Sequence, residues 1–275
     1  MALTVDFDAE ELWLAEDPAN AARPGVLSQA RYGAEIGVPR LLDMLDRLGV
    51  PATFFVCGRD AERYPSVMES VAARGHEIGH HGHTHRSPHL MTREEEAQEL
   101  ARGLAVLGEF TDRVAGYRSP SWDLSPHTLD LLVEHGFGYS SNLMDAVVPY
   151  RHPGHDLVEI PVHWTLDDAP HFWFDATSWD RTIRSAREVA EVWGEEASAI
   201  HDIGGLVTLT VHPQLIGRPG RLRMLEEFLT GVRAYDGGGG GGVWFATCGE
   251  VADTVRRAPA GTGAGSGAGF AGARS

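Results

Sequence analysis

The feature that most restricts the fold is an alternation of hydrophobic period along the chain. Short apolar, β-branched runs are each followed by a stretch whose apolar positions recur at helical spacing. Leu3-Thr-Val-Asp-Phe7 is the first run; Ile36, Leu41, Leu42, Leu45 and Leu48 then fit one helical face, which Gly49 stops. Thr53–Val56 predicts a strand, Tyr64–Arg74 a helix with Pro65 in its first turn, and Glu77–His80 a third strand. Thr92 and Glu95 form a capping box for a helix to Phe110, and Val114–Arg118 is the next strand. Ser125-Pro126 opens a helix to His135, Tyr139 starts a strand, and Leu157–Val162 follows. A helix over Arg181–Ile200 leads to Leu206–Val211, the clearest buried strand, which ends in His212-Pro213. A helix over Pro219–Tyr235, a strand over Val243–Ala246 and a helix over Gly249–Arg257 complete the pattern. Such repeats imply parallel strands joined by right-handed crossovers, and roughly seven of them suit an α/β barrel better than an open sheet.

The 275 residues, 43% of them apolar, suffice for one domain with a sizeable core. Residues 15–32, with Pro18 and Pro24 and little periodicity, predict a loop long enough to cover a site. Six glycines at 237–242 predict a flexible loop, and Gly, Ala and Ser dominate the end of the chain. The expected organisation is a catalytic domain over 1–257 and a disordered tail over 258–275, since the tail lacks side chains that could offset its ordering entropy.

Charge narrows the partners. With 39 acidic against 23 basic side chains, the chain has no cationic footprint for nucleic acid or an anionic membrane. No basic n-region with an apolar h-region follows Met1, and no run approaches the length of a membrane span, so the expectation is a cytoplasmic protein. Cys57 and Cys248 each sit in or beside a strand-like run and read as buried thiols.

Chemistry concentrates at strand ends. His76, His80, His81, His83, His85 and His89 are six of the chain's 14 histidines. A metal is one explanation of this cluster, because H-x-x-x-H puts two rings on one side of a turn; a wet, His-rich loop is the other. Two imidazoles do not complete a site, so a carboxylate must come from elsewhere. Asp6 and Asp8 leave the first strand two residues apart and therefore on one face, unless they belong to a solvated acidic loop. Reactive groups of α/β barrels sit at the carboxyl ends of strands. Asp6 and Asp8, His81 and His85, Arg118, and His212 each follow a separate strand in that position, which predicts one shared site.

These residues resemble the polysaccharide deacetylases, carbohydrate esterase family four, with their NodB-like domain. Asp6-Phe-Asp8 is similar to the family's first motif, Gly79-His-His81-Gly-His-Thr-His85 to its second, Arg118-Ser-Pro-Ser121 to its third and His212-Pro213 to its fifth. The third motif often ends in Tyr where Ser121 stands, and the fourth motif's Asp-Trp pairing is absent around Asp167-Asp168. Linking stretches such as Tyr139-Ser-Ser-Asn-Leu-Met144 resemble the intracellular branch, which includes peptidoglycan-deacetylase-like proteins and allantoinase-like or cyclic-imide hydrolases.

The resemblance implies a distorted barrel of seven or eight β/α units and a metal-dependent hydrolase of C–N bonds. Asp8, His81 and His85 would hold one divalent metal, zinc; Asp6 would be the general base and Arg118 its orienting partner, or else a structural ion pair. His212 would protonate the departing nitrogen, and Asp168 would orient it or touch substrate with Ser121 and Trp122. The expected substrate is a small acylated amide, an amino sugar or otherwise; the alternatives are a cyclic imide or ureide opened by the same centre, and an inactive binding relative. A homo-oligomer is expected from the same branch.

Overall fold

The computed structural model describes residues 1–174, 179, 182–235 and 242–258. The expected flexible loop and terminal tail lie outside the described residues, apart from Gly242 and Ala258. In chain order the elements are β1 (Ala2–Phe7), α1 (Ala9–Glu16), α2 (Pro24–Tyr32), α3 (Val38–Leu48), β2 (Ala52–Val56), α4 (Gly58–Arg63), α5 (Pro65–Ala73) and β3 (Glu77–His80). They continue with α6 (Arg93–Leu107), β4 (Gly116–Tyr117), α7 (Thr128–Glu134), β5 (Tyr139–Ser140), β6 (Tyr150–Arg151) and β7 (Val158–Glu159). The last are α8 (Ala169–Phe172), α9 (Ala186–Asp202), β8 (Thr208–Val211), α10 (Pro213–Ile216), α11 (Pro219–Arg233) and α12 (Cys248–Arg257).

The eight strands form one sheet in the order β6-β7-β5-β4-β3-β2-β1-β8, every pairing parallel except the antiparallel β6–β7 contact. A single parallel bridge between Asp167 and Thr210 brings the chain after β7 alongside β8, curling the sheet toward closure. The result is the distorted α/β barrel in one domain that the alternation predicts. Strands β1, β2 and β8 are buried along their whole length, because helices and side chains cover both faces. Leu3, Val5 and Phe7 of β1 pack with Leu41, Leu42 and Leu45 of α3 and Leu225 and Leu229 of α11. No helix among the described residues is long and apolar enough to cross a membrane.

Several expected elements differ. The segment 15–32 is helical rather than a loop: α1 runs to Glu16, a short 3₁₀ turn spans Pro18–Ala22, and α2 follows. Pro18 and Pro24 occupy first-turn positions, where a missing N–H costs nothing, so they mark starts rather than breaks. Periodicity was silent here because α2 buries only Ala30. The helix expected over Tyr64–Arg74 starts at Pro65, with the separate α4 before it, and that expected from Arg181 starts at Ala186, where Ser185 and Glu188 make a reciprocal capping box. Residues 243–246 form no strand; they run beside the start of β1, with the Ala246 N–H donating to Met1 O at 3.0 Å.

One helix contact bears on the site. Between α2 and α3 the chain takes a π turn, Gly33–Gly37, which lies against α10, the short helix that follows β8. A Cβ at Gly37 would collide with the Pro213 carbonyl, and one at Gly33 would come within 2.9 Å of Gln214 N. Gly37→Ala is expected to lower stability by about 1–3 kcal/mol, as overpacking does; an unchanged urea midpoint would rule out this close contact. A second expectation concerns pH. His76 Nδ1 accepts the Ala52 N–H at 3.2 Å where β2 begins, so the ring must be neutral, and burial lowers its pKa below 6.5. The unfolded chain takes up this proton first, so the stability tied to His76 is present above pH 6.5 and is lost as pH falls toward the lower folded value. Urea midpoints measured from pH 8 to 5 should therefore fall, and His76→Asn, which keeps an acceptor that cannot protonate, should flatten the curve.

Candidate active site

Arg118 follows β4 directly and is completely buried. Its Nη1 lies 2.7 Å from Asp6 Oδ1 and donates to Thr4 Oγ1 at 2.7 Å and Thr210 Oγ1 at 3.2 Å. Its Nη2 and Nε donate to the hydroxyl and carbonyl of Ser141 at 2.8 and 3.3 Å, and Phe55 packs under the guanidinium at 4.3 Å. Thus one cation binds β1, β8 and the residue that follows β5. Burial alone would raise the Asp6 pKa, but the Arg118 charge and hydrogen bond, helped by His81 and His212, outweigh it and hold the carboxyl below its ordinary value.

Asp8 sits at the N-cap of α1 without capping it through its side chain. Its Oδ1 is buried with no hydrogen-bond partner, and burial pushes the pKa up to about 7. His81 Nδ1 donates to Arg118 O at 2.9 Å, which fixes the tautomer and leaves Nε2 free to act as a ligand. His85 Nε2 lies 3.7 Å from Asp8 Oδ2, and the two imidazole centroids are 5.2 Å apart. Burial lowers His81 to about 4 and His85 well below its ordinary value, so both rings are neutral near pH 7. Two neutral imidazoles beside a buried carboxylate oxygen without a donor are a donor set suited to a divalent cation. The loop holding them depends on Gly82, whose φ of +82° would strain any other residue and whose absent Cβ leaves room for the Thr84 carbonyl.

Across the cavity, His212 leaves β8 with Nδ1 2.7 Å from Asp168 Oδ1, and its own backbone N–H donates to both Asp168 oxygens at 3.1 Å. Burial opposes a charged ring, but Asp167 at 3.7 Å, with Asp168 and Asp8, raises the His212 pKa well above normal. The proton on Nδ1 is spent on Asp168, leaving Nε2–H as the ring's remaining donor. Among the described residues, Asp167, Asp168 and His212 also bring one ligand-type atom each within 4.8 Å of one another. That trio is the poorer cation site, because its acceptors already meet His212 donors and an imidazolium cannot ligate.

Asp6, Asp8, His81, His85 and His212 line one cavity of about 160 Å³. Its apolar walls are Leu12, Trp122, Trp164 and Trp173, and Trp122 stacks on Trp164 with centroids 4.3 Å apart. Ser121 and Trp122 hold left-handed backbone angles, φ 62° and 54°, strain of a kind that collects at functional sites. The Trp122 N–H bonds to Ser119 O at 3.1 Å. All the expected site residues therefore adjoin this cavity or, as with Arg118 and Asp168, hold a group that does. His76 and His80 are buried elsewhere, and His89 is on the surface beside Asp123. Sequence reasoning missed Thr4, Thr210 and Ser141 around Arg118, and Leu12 in the wall. Thr4 and Thr210 were discoverable: each stands two residues before a site residue on its strand and so shares its face.

Comparison with known proteins identifies the family. A polysaccharide deacetylase family model matches residues 32–140, which include His81, His85, Arg118, Ser121 and Trp122. A structure from Mycobacterium smegmatis assigned to the polysaccharide deacetylases is 44% identical, with a TM-score of 0.87 over 93% of this chain and 89% of that one. The chain belongs to the polysaccharide deacetylase family. A peptidoglycan deacetylase of Helicobacter pylori is 29% identical over 92% of this chain and 94% of its own length. An allantoinase structure at 22% identity and a TM-score of 0.77, covering 92% of this chain and 88% of its own, shares the fold.

The buried ion pair gives a quantitative expectation. Arg118→Met would leave Asp6 charged and unpaired in the interior, a loss of about 3–5 kcal/mol. The Arg118→Met, Asp6→Leu double variant should recover much of it in urea unfolding; equal losses in the single and double variants would mean that the pair is not the source.

Proposed function

We propose that this protein is a metal-dependent hydrolase of non-peptide C–N bonds, acting as an N-deacetylase on a small acylated substrate such as an amino sugar. One observation carries the reading. A carboxylate kept ionised by Arg118 and an imidazolium kept protonated by carboxylates adjoin a single small cavity that also holds the unpartnered Asp8 and two neutral imidazoles. A base and an acid with pKa values driven apart by their surroundings are what hydrolysis of an amide needs.

Asp8, His81 and His85 would hold one divalent cation, zinc, which when bound supplies Lewis acidity toward the scissile carbonyl and acidifies water. Asp6 takes the proton from the attacking water, and Arg118 keeps it ionised and aimed. His212 Nε2–H delivers a proton to the departing nitrogen, without which an amine leaves poorly. Asp168 fixes the His212 ring, and the Ser121 N–H steadies charge on the carbonyl oxygen. Trp122 and Trp164 hold the acyl group or ring. The catalytic unit spans residues 1–257, acts in the cytoplasm and assembles as a homo-oligomer.

A cavity of about 160 Å³ is small beside ordinary ligand pockets of roughly 300–1,000 Å³. Its size favours a compact substrate. The stacked Trp122 and Trp164 also suit a flat ring, which supports a second reading: opening of a cyclic imide or ureide by the same groups. Mass spectrometry after incubating zinc-loaded protein with N-acetylated amino compounds and cyclic imides distinguishes them. Loss of an acetyl group is expected; gain of one water would establish ring opening, and no conversion would overturn both. Asp6→Asn should lower turnover by about 10²–10⁴-fold, and chelation should abolish it and lower the thermal midpoint, with zinc restoring both.

A further inference from the structure

A second cavity, of about 510 Å³, lies on the other side of Trp173 from the catalytic one, and Trp173 lines both. Its floor is aromatic: Trp13 stacks on Trp173 with centroids 5.3 Å apart and planes inclined by 27°. Arg23, Arg218 and Arg221 line it, in a chain whose net charge is −16. Among the described residues none of the three has a carboxylate within salt-bridge distance. Arg23 donates to Asn20 Oδ1 at 2.8 Å, Arg221 to Leu215 O at 3.1 Å, and Arg218 lies over the Tyr32 ring at 3.7 Å. The two carboxylates that also line the cavity, Glu16 and Asp17, are exposed, and Asp17 accepts the Ala19 N–H at 2.9 Å. Gln214 supplies an independent observation. It lines the same cavity at 5% exposure, and among the described residues its buried Nε2 has no hydrogen-bond partner.

We propose that this cavity binds a small organic acid, its carboxylate met by Arg218, Arg221 and the Gln214 amide and its flat apolar body laid on the Trp13–Trp173 pair. Guanidinium forks match the planar geometry of a carboxylate, and an amide donor without a partner is satisfied by the same oxygens. The place matters to catalysis. Gln214, Arg218 and Arg221 follow His212 in the chain, and Trp173 follows Asp167 and Asp168, so a ligand here ties together the two segments that hold the catalytic acid. The acid group is either an arm of the substrate or a separate molecule.

Binding is read from tryptophan fluorescence of the zinc-loaded full chain titrated with benzoate, with neutral benzamide of the same shape as control. This readout does not depend on the proposed hydrolase activity. Benzoate should bind, benzamide about tenfold more weakly or not at all, and Arg218→Gln, Arg221→Gln and Gln214→Leu should each weaken benzoate by about tenfold. Equal binding of the two probes, no binding of benzoate, or affinities unchanged in the surface variant Arg218→Gln would overturn the proposal. The source of the acid follows from kinetics of Arg218→Gln on acylated substrates with and without a carboxylate. A KM raised only for the acidic ones identifies a substrate arm; benzoate changing kcat on neutral ones in the wild type but not in the variant identifies a separate molecule.

Discussion

The mouth of the barrel depends on one buried cation. Arg118 is fully excluded from water, and the large desolvation cost of a guanidinium is offset only if its N–H groups and charge are met. Asp6 meets the charge; Thr4, Thr210 and both oxygens of Ser141 meet the remaining donors. Thr4 and Asp6 lie on β1 and Thr210 on β8, neither of which neighbours β4 in the sheet, so the sheet must curl before the arginine can be satisfied. The curvature that closes the barrel and the ionisation of Asp6 are therefore the same requirement.

From that pair the other protonation states follow. Burial raises the Asp8 pKa, and the charge that Asp6 keeps beside Arg118 raises it further, while among the described residues the buried Asp8 Oδ1 has no donor. His81 gives its Nδ1 proton to the Arg118 carbonyl, which turns its second nitrogen to the cavity. On the opposite wall, Asp167 and Asp168 crowd one imidazole and keep it charged. Buried acids and bases of one cavity thus take different states because their partners differ, not because their residue types do.

Beneath the mouth, the barrel is tied by buried carboxylates of a structural kind. Glu159 accepts the N–H groups of Asn142 and Leu143 at 2.7 and 2.8 Å and pairs with His152, fixing the segment that carries Ser141. Glu77 accepts from Thr53, Tyr139 and Gly249, joining β2, β5 and α12 at the far end. Neither was recognisable from residue type, since an isolated Glu in a strand is as compatible with an exposed edge as with a filled interior.

The sequence by itself determined the alternation of strands and helices, because burial on both faces demands continuous apolar runs and a helical stripe demands its own period. It also marked Asp6, Asp8, His81, His85, Arg118 and His212, because each is a polar residue stationed where an apolar strand stops. Only the tertiary structure decided that 15–32 is helical, since a helix lying on the surface leaves almost no apolar stripe to read. It alone decided that Thr4, Thr210 and Ser141 surround Arg118, that Leu12 joins the cavity wall, and that Gln214 and three arginines face a second one. Those are contacts between residues far apart in the chain, and periodicity carries information only about neighbours along it.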